Sequence, residues 1–303
     1  MVLLNFLDDS IYNELKSCIE QLKEDPKKLE PLIREAIKQS KEEAKNEVTI
    51  GDPFPVVFGI LIKRAWNYVR GVLGQTKKWQ EARELIKIYG SIFLVGSGFS
   101  FESNMPLSKH LKVILKKIGV KNWNVLRKNP KKFQKFKEYF ADLVRKKNPG
   151  TSHKLVAKAF YEGKILEIIC LNWDDLIEKA YREVAGIEFP KTQKIVRDED
   201  IQIEHCIWKL HGDVENLEND FILPDEGGRV FNSLITRLNS LAKKMYIFVI
   251  VGYSESEENI YTKIIGKLER TVETYRVGLD LSRLNDSYYI VGPSDFVLEK
   301  ILG

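Results

Sequence analysis

The sequence predicts an α/β fold: a parallel sheet buried on both faces, preceded by a helical region. Two observations carry that prediction. After residue 90 five apolar runs of strand length recur, "SIFLVGSG", "ILEIICLN", "CIWKLHG", "MYIFVIVGYS" and "SYYIVGPS", each ending in small or polar residues and separated by helical stretches. Strands covered by helices on both sides read as continuous apolar runs, not as an alternation. Before residue 90 the apolar residues recur at helical spacing instead.

Taken in order, residues 1–88 form the N-terminal helical region. Ile11, Leu15, Ile19 and Leu22 fall on one helix face. Pro26 and Pro31 punctuate the pattern, and "GDPFP" at 51–55 breaks it. "VVFGILIKRAWNYVRGVL" and "KKWQEARELIKIYG" are further helices, the second closed by Gly90 as a C-cap. A sheet domain is expected over 89–303, with a helical insert at about 105–147 after its first strand. The insert is basic: from Lys109 to Lys147 there are 14 Lys and Arg against Glu138 and Asp142. Such a run is ordinarily a solvated helix face. No interleaved aromatics argue for base stacking, so nucleic acid stays an alternative partner.

The chain has 303 residues, 44% apolar and 30% charged, enough for one large domain or two modest ones. Lys and Arg outnumber Asp and Glu by 48 to 43, too mild a balance to imply nucleic acid by itself. Cys18, Cys170 and Cys206 are far apart and form no C-x-x-C pair. That argues against a zinc ribbon and a disulfide framework, and fits a reducing compartment. No run approaches the roughly 18 apolar residues that span a membrane, and the acidic N-terminus does not read as a secretory signal. A cytoplasmic protein without metal and without a membrane partner is expected.

Chemistry in parallel sheets gathers at the carboxyl ends of the strands. Four polar clusters fall there: Gly96 to Ser100, Asn172 to Asp175, His211 to Asp213, and Gly252 to Ser254. Each has an ordinary structural reading. Gly96-Ser97-Gly98 can be a strand-to-helix turn, or a place where a backbone without Cβ atoms offers its N–H groups to a pyrophosphate. It is neither a G-x-G-x-x-G nor a P-loop. One of Asp174 and Asp175 is expected to cap the following helix. Asn172 can donate and accept, and so position a water or a ribose hydroxyl. His211 has the titration range of a general base. Convergence of all four on one sheet edge favours a site over four separate turns.

In this order the motifs resemble those of the sirtuin family. "GSGFSFESNMP" at 96–106 is similar to its G-A-G-x-S-x-x-S-G-I-P loop through Gly96, Gly98, Ser100, Ser103 and Pro106. "NPGTSHKLVAKA" resembles P-x-x-x-H-x-x-L-A, "CLNWDDLIEKA" the T-x-N-x-D strand end, and "KLHGD" the L-H-G. "VGYSESEENI" resembles the G-Y-S form of a divergent prokaryotic branch. The resemblance covers about 90–303 and implies a Rossmann-like domain binding NAD. That branch lacks the four-cysteine zinc module, as this chain does. It is associated with NAD cleavage and antiviral defence, with homo-oligomers, and with partner proteins such as a DNA-translocating ATPase. Protein deacylation or ADP-ribosyl transfer, and a non-catalytic NAD or ADP-ribose sensor, are the alternatives.

The resemblance implies a catalytic group of Asn172, holding water and ribose, His211 as general base, and Asp174, binding ribose or ordering its loop. Gly96, Ser97, Gly98, Ser100, Gly252 and Ser254 are expected to line the pyrophosphate and adenosine ribose. Ser103 and Pro106 are expected to shape the loop over the nicotinamide. His153, at a predicted helix start, is read as structural and remote from the sheet edge.

Overall fold

The structure is a computed structural model describing residues 8–21, 29–44, 54–106, 111–198, 204–214, 221–223, 226, 229–242, 244–254, 257–283 and 285–303. Leu22, Pro26, the 51–53 break, 107–110 and Glu255-Ser256 lie outside them. The chain divides into two compact units, 1–79 with 277–297, and 80–276 with 298–303.

In the first unit α1 (Asp8–Gln21), α2 (Glu30–Ala44) and α3 (Phe54–Leu73) pack on one another. Ile11, Leu15 and Ile19 are completely buried, as their spacing predicts. Pro31 does not interrupt a helix; it sits in the first turn of α2, where an absent N–H leaves no gap. The buried Gln75 amide serves as a surrogate strand. Its Nε2 donates to the Val291 carbonyl and its Oε1 accepts from the Val291 amide, both at 2.9 Å.

Helix α4 (Thr76–Tyr89) ends as its sequence predicts. Gly90, at φ 74°, sends its amide back to the Ile86 carbonyl at 2.9 Å. The sheet follows: β1 (Ser91–Val95), β2 (Ile165–Cys170), β3 (Lys194–Ile195), β4 (Ile207–Lys209), β5 (Ile247–Val251), β6 (Thr274–Gly278) and β7 (Tyr289–Val291). Their order is β3-β4-β2-β1-β5-β6-β7, and the pairings β3/β4, β4/β2, β2/β1 and β1/β5 are parallel. The five predicted runs are β1, β2, β4, β5 and β7. The other two had no apolar run to announce them, since β3 has only two residues and β6 mixes Thr, Tyr and Arg. β1 and β5 are buried at every position.

On one face Ile92, Leu94, Ile169, Trp208, Phe248 and Ile250 form a core with α10 (Asn232–Ala242) and the segment 258–268. That segment is α11 (Glu258–Ile260), a π-turn (Tyr261–Ile265) and α12 (Gly266–Leu268). α8 (Thr151–Tyr161) packs against β2 and against α9 (Leu176–Ala185). Glu167, fully buried within β2, is met by four donors: Arg237 Nε at 2.7 Å, Trp208 Nε1 at 2.8 Å and the amides of Cys206 and His205. A carboxylate inside an apolar strand is stable only with such partners.

The predicted insert is helical: α5 (Leu111–Lys117), α6 (Trp123–Arg127) and α7 (Pro130–Arg145). Asn122 and Asn129 cap the latter two, accepting from the amides three residues on. Phe136 and Phe140 of α7 pack edge-on against Trp173, just past β2, and Trp173 stacks on Phe221 at 4.3 Å. The last helix, α13, is Ser294–Leu302.

Candidate functional site

Strand order reverses between β1 and β5. From β1 the chain moves to β2 on one side, and β5 then returns on the other. At such a switch the connections leave in opposite directions and open a crevice at the carboxyl ends. The segment after β1 is a 3₁₀ turn, Ser97–Ser103. It lies directly against the segment after β5. Gly96 and Gly98 donate to the Val251 and Gly252 carbonyls at 2.9 and 3.0 Å. A Cβ on Gly96 would stand 2.6 Å from the Gly252 oxygen, and one on Gly98 2.9 Å from the Gly252 Cα. Gly252 itself has φ 66°. These glycines are required because two loops seat backbone to backbone. Of the Gly96-Ser97-Gly98 amides expected to face a pyrophosphate, those of Gly96 and Gly98 are committed to the Val251 and Gly252 carbonyls, and the next amide, of Phe99, to the Gly96 carbonyl.

Ser100 is the centre of the turn. Asn172 Nδ2 donates to Ser100 Oγ at 2.9 Å and to the Gly96 carbonyl at 3.1 Å. The carbonyl partner fixes the amide orientation, so both Nδ2 donors are used within the protein and Oδ1 remains as the acceptor of the group. His153 also reaches Ser100: its Nε2 lies 3.1 Å from Oγ. His153 Nδ1 accepts from the Gly150 amide at 3.2 Å, which places the proton on Nε2. Ser100 Oγ therefore accepts two hydrogen bonds and keeps its own proton for a third partner. His153 is fully buried and packs edge-on to Phe99 at 4.7 Å. The expectation that it stands apart from the sheet edge is overturned: the turn after β1 folds over the start of α8. Glu102 completes that contact by accepting from the Ser152 amide at 2.6 Å. The signal was in the sequence, in the histidine of "NPGTSHKLVAKA".

Asp174 Oδ1 accepts from the amide of Leu176, the first residue of α9, at 3.3 Å, while Asp175, at the N-cap position, makes no side-chain cap bond and pairs with Lys179 at 3.0 Å. The Asp174 carbonyl accepts from Lys209 Nζ. Lys209 ends β4 and is completely buried. It belongs to a cluster that the sequence reading missed: Glu178 lies 3.6 Å from Lys209, and Lys194 lies 2.8 Å from Asp213 and 3.9 Å from Glu178. Burial opposes charge on Lys209, but Cys170 and the carboxylates of Glu178, Asp213 and Asp174 hold its ammonium well above the ordinary range. Burial pushes the Glu178 carboxyl up to about 7, with Asp213 adding repulsion against the pull of Lys209 and Lys194. Three carboxylates face two ammonium groups, so the cluster favours keeping a proton. Burial also takes the Cys170 thiol up to about 12, so it is no nucleophile at neutral pH.

His211 follows β4, buried, with Nε2 2.8 Å from Glu257 Oε2. Glu257 comes from the segment after β5 and was not among the expected residues. The loops thus join around the sheet edge: β1 to β5 through Gly98 and Gly252, β5 to β4 through Glu257 and His211, β4 to β2 through Lys209 and Asp174, and β2 to β1 through Asn172 and Ser100. Ser97 and Pro106 are half-buried, Ser254 is exposed, and the buried Ser103 Oγ has no hydrogen-bond partner among the described residues. Among the described residues no group of three His, Cys, Asp or Glu is arranged to hold a metal ion, and no helix is long and apolar enough to cross a membrane.

Residues 166–273 match the family model of the SIR2-like domain. A comparison with curated proteins finds no match. Among solved structures, a Sir2 homologue mutant in complex with ADP-ribose superposes with a TM-score of 0.52 at 16% identity, over 74% of this chain and 94% of that one. A structure of Sir2 enzymes described for their mechanism and regulation gives 0.52 at 16% identity, over 75% and 96%. A Sir2 homologue in complex with NAD gives 0.50 at 16% identity, over 74% and 92%. At this identity the superpositions speak for the fold. Residues 166–273 therefore match a SIR2-like domain, and the chain has a Sir2-type α/β fold.

Proposed function

We propose that this chain binds NAD at the carboxyl edge between β1 and β5 and hydrolyses its nicotinamide–ribose bond, giving nicotinamide, ADP-ribose and a proton. The carrying observation is the closed ring of contacts that brings Asn172, Ser100 and His211 to the crevice of the strand-order switch. The groups fit a ribosyl ligand. Asn172 Oδ1 can accept from a ribose hydroxyl or a water, the Ser100 proton is available to a ligand, and Ser103 Oγ is a buried hydroxyl in want of a partner.

A glycosidic bond to a cationic leaving group breaks through an oxocarbenium-like transition state. Asn172 holds the attacking water, and His211 takes the proton released by that water or by a ribose hydroxyl. Asp174 acts by ordering its loop, its Oδ1 holding the Leu176 amide at the start of α9. With the Gly98 and Phe99 amides committed, Ser97 is the residue of the turn proposed to meet the pyrophosphate, with Ser254 across the crevice. Gly96, Gly98 and Gly252 shape that crevice, and Ser103 and Pro106 border its nicotinamide side. The sheet domain of 89–303 carries the activity, preceded by the N-terminal helical region of 1–88. A defence role, a homo-oligomer and a DNA-translocating partner belong to this proposal and rest on the family resemblance.

The test is chromatography of NAD and its products after incubation with purified protein. Asn172→Ala and His211→Ala should each lower kcat by about 10²–10⁴-fold and change NAD affinity little, because both act mainly in the transition state. If NAD and ADP-ribose both leave the melting temperature unmoved, the site assignment fails. If NAD raises it while wild type releases no nicotinamide, and expressed wild type and His211→Ala leave cellular NAD equal, the chain is a sensor.

A further inference from the structure

We infer that Glu257 is a positioning residue that forms a histidine–carboxylate pair with His211, a role that rests on reading His211 as the general base. The carboxylate Oε2 lies 2.8 Å from His211 Nε2, and both side chains are largely buried, at 13% and 8% exposed. A carboxylate can only accept, so Nε2 carries the proton and the ring's basic lone pair sits on Nδ1. A histidine free to rotate offers either nitrogen in several orientations. Held at Nε2, it presents Nδ1 in one. When Nδ1 takes a proton, the ring becomes a cation facing an anion at hydrogen-bond distance, so the pair also stabilises the charge that base catalysis creates.

The surroundings hold Glu257 at this station. Its carbonyl accepts from the Tyr261 amide at 3.0 Å and from the Tyr253 hydroxyl at 3.2 Å, tying the start of α11 back to the residue that follows Gly252. On the other side, the His211 carbonyl accepts from the Ile222 amide at 2.9 Å, and Gly212 turns the chain at φ 89°. Two separate strand-end segments, after β4 and after β5, are therefore built to meet through this contact. The Gly98–Gly252 seat places the β5 segment against the turn after β1, so the same element that closes the crevice also supplies the acid partner of the base.

The experiment uses the full chain. In the ligand-free wild type, the His211 Nε2 proton should give a downfield resonance in slow exchange with water, identified by its loss in His211→Gln. It should vanish in Glu257→Ala. In NAD turnover, Glu257→Ala should lower kcat by about tenfold or more and leave KM within about threefold. Glu257→Asp should restore part of kcat, and Glu257→Gln, which keeps an acceptor without the charge, should stay low. Glu257→Gln also stands in if the alanine variant does not fold. Persistence of the resonance in Glu257→Ala overturns the pairing. Turnover in Glu257→Ala equal to wild type overturns the positioning role, and faster turnover would show that the carboxylate blocks the ring instead of presenting it. If wild type releases no nicotinamide, the proposed hydrolysis fails, and the resonance still decides whether the pair exists.

Discussion

At the residue scale the site depends on one hydroxyl. Ser100 Oγ receives both Asn172 Nδ2 and His153 Nε2 while 1% exposed. Without that oxygen, two buried donors lose their shared acceptor, and a buried unsatisfied polar group costs about 1–3 kcal/mol. Ser100→Ala should therefore lower the denaturation free energy by about that amount, read from urea unfolding at unchanged slope. It should also slow NAD turnover, since Asn172 loses a support. Equal stability of variant and wild type would mean that Asn172 and His153 find other partners and that the centre lies elsewhere. Asn172 was legible as polar, but the commitment of both its donors was not, because partners 72 and 76 residues away leave no mark on local spacing.

At the element scale the decisive contact is between the segments after β1 and β5. A Cβ on Gly252 would lie 2.2 Å from the Phe99 nitrogen, and its φ of 66° already disfavours a side chain. Overpacking of this kind costs about 1–3 kcal/mol, with backbone strain in addition. Gly252→Ala should destabilise by about 3 kcal/mol. Gly186→Ala is the comparison: its φ is 70° with nothing within 4 Å of the added Cβ, so only the strain, about 1 kcal/mol, applies. Equal losses in a thermal or urea melt would refute the seating argument. The glycines were legible in "VGSG" and "IVGYS", but their reason was not. Sequence suggested space for a phosphate, and the fold uses the space for a neighbouring loop.

At the scale of the whole molecule, stability should carry the mark of the buried cluster. The Glu178 carboxyl moves from its ordinary 4.5 to about 7 because burial disfavours its charge. Between those values the folded chain holds a proton that the unfolded chain has released, so the unfolded state binds fewer protons. Stability then falls as pH rises through that window and is lowest above it. Glu178→Gln removes the titration and balances two ammonium groups with two carboxylates, so its melting temperature should drop less than that of wild type between pH 5 and pH 8. Parallel curves for the two proteins would show that Glu178 is not the group that holds the proton.

The sequence by itself determined the α/β class, the five apolar strands, the Gly90 stop and the order of the polar strand ends. These follow from local facts: side-chain period, apolar run length and backbone freedom at glycine. Tertiary structure alone decided which strand ends meet. It brought His153 to Ser100, set Glu257 on His211 and buried Lys209 among carboxylates. His153 to Ser100, His211 to Glu257 and Lys209 to Asp174 span 53, 46 and 35 residues. No short-range pattern encodes them, because strand order and register place their partners, and both are properties of the assembled sheet.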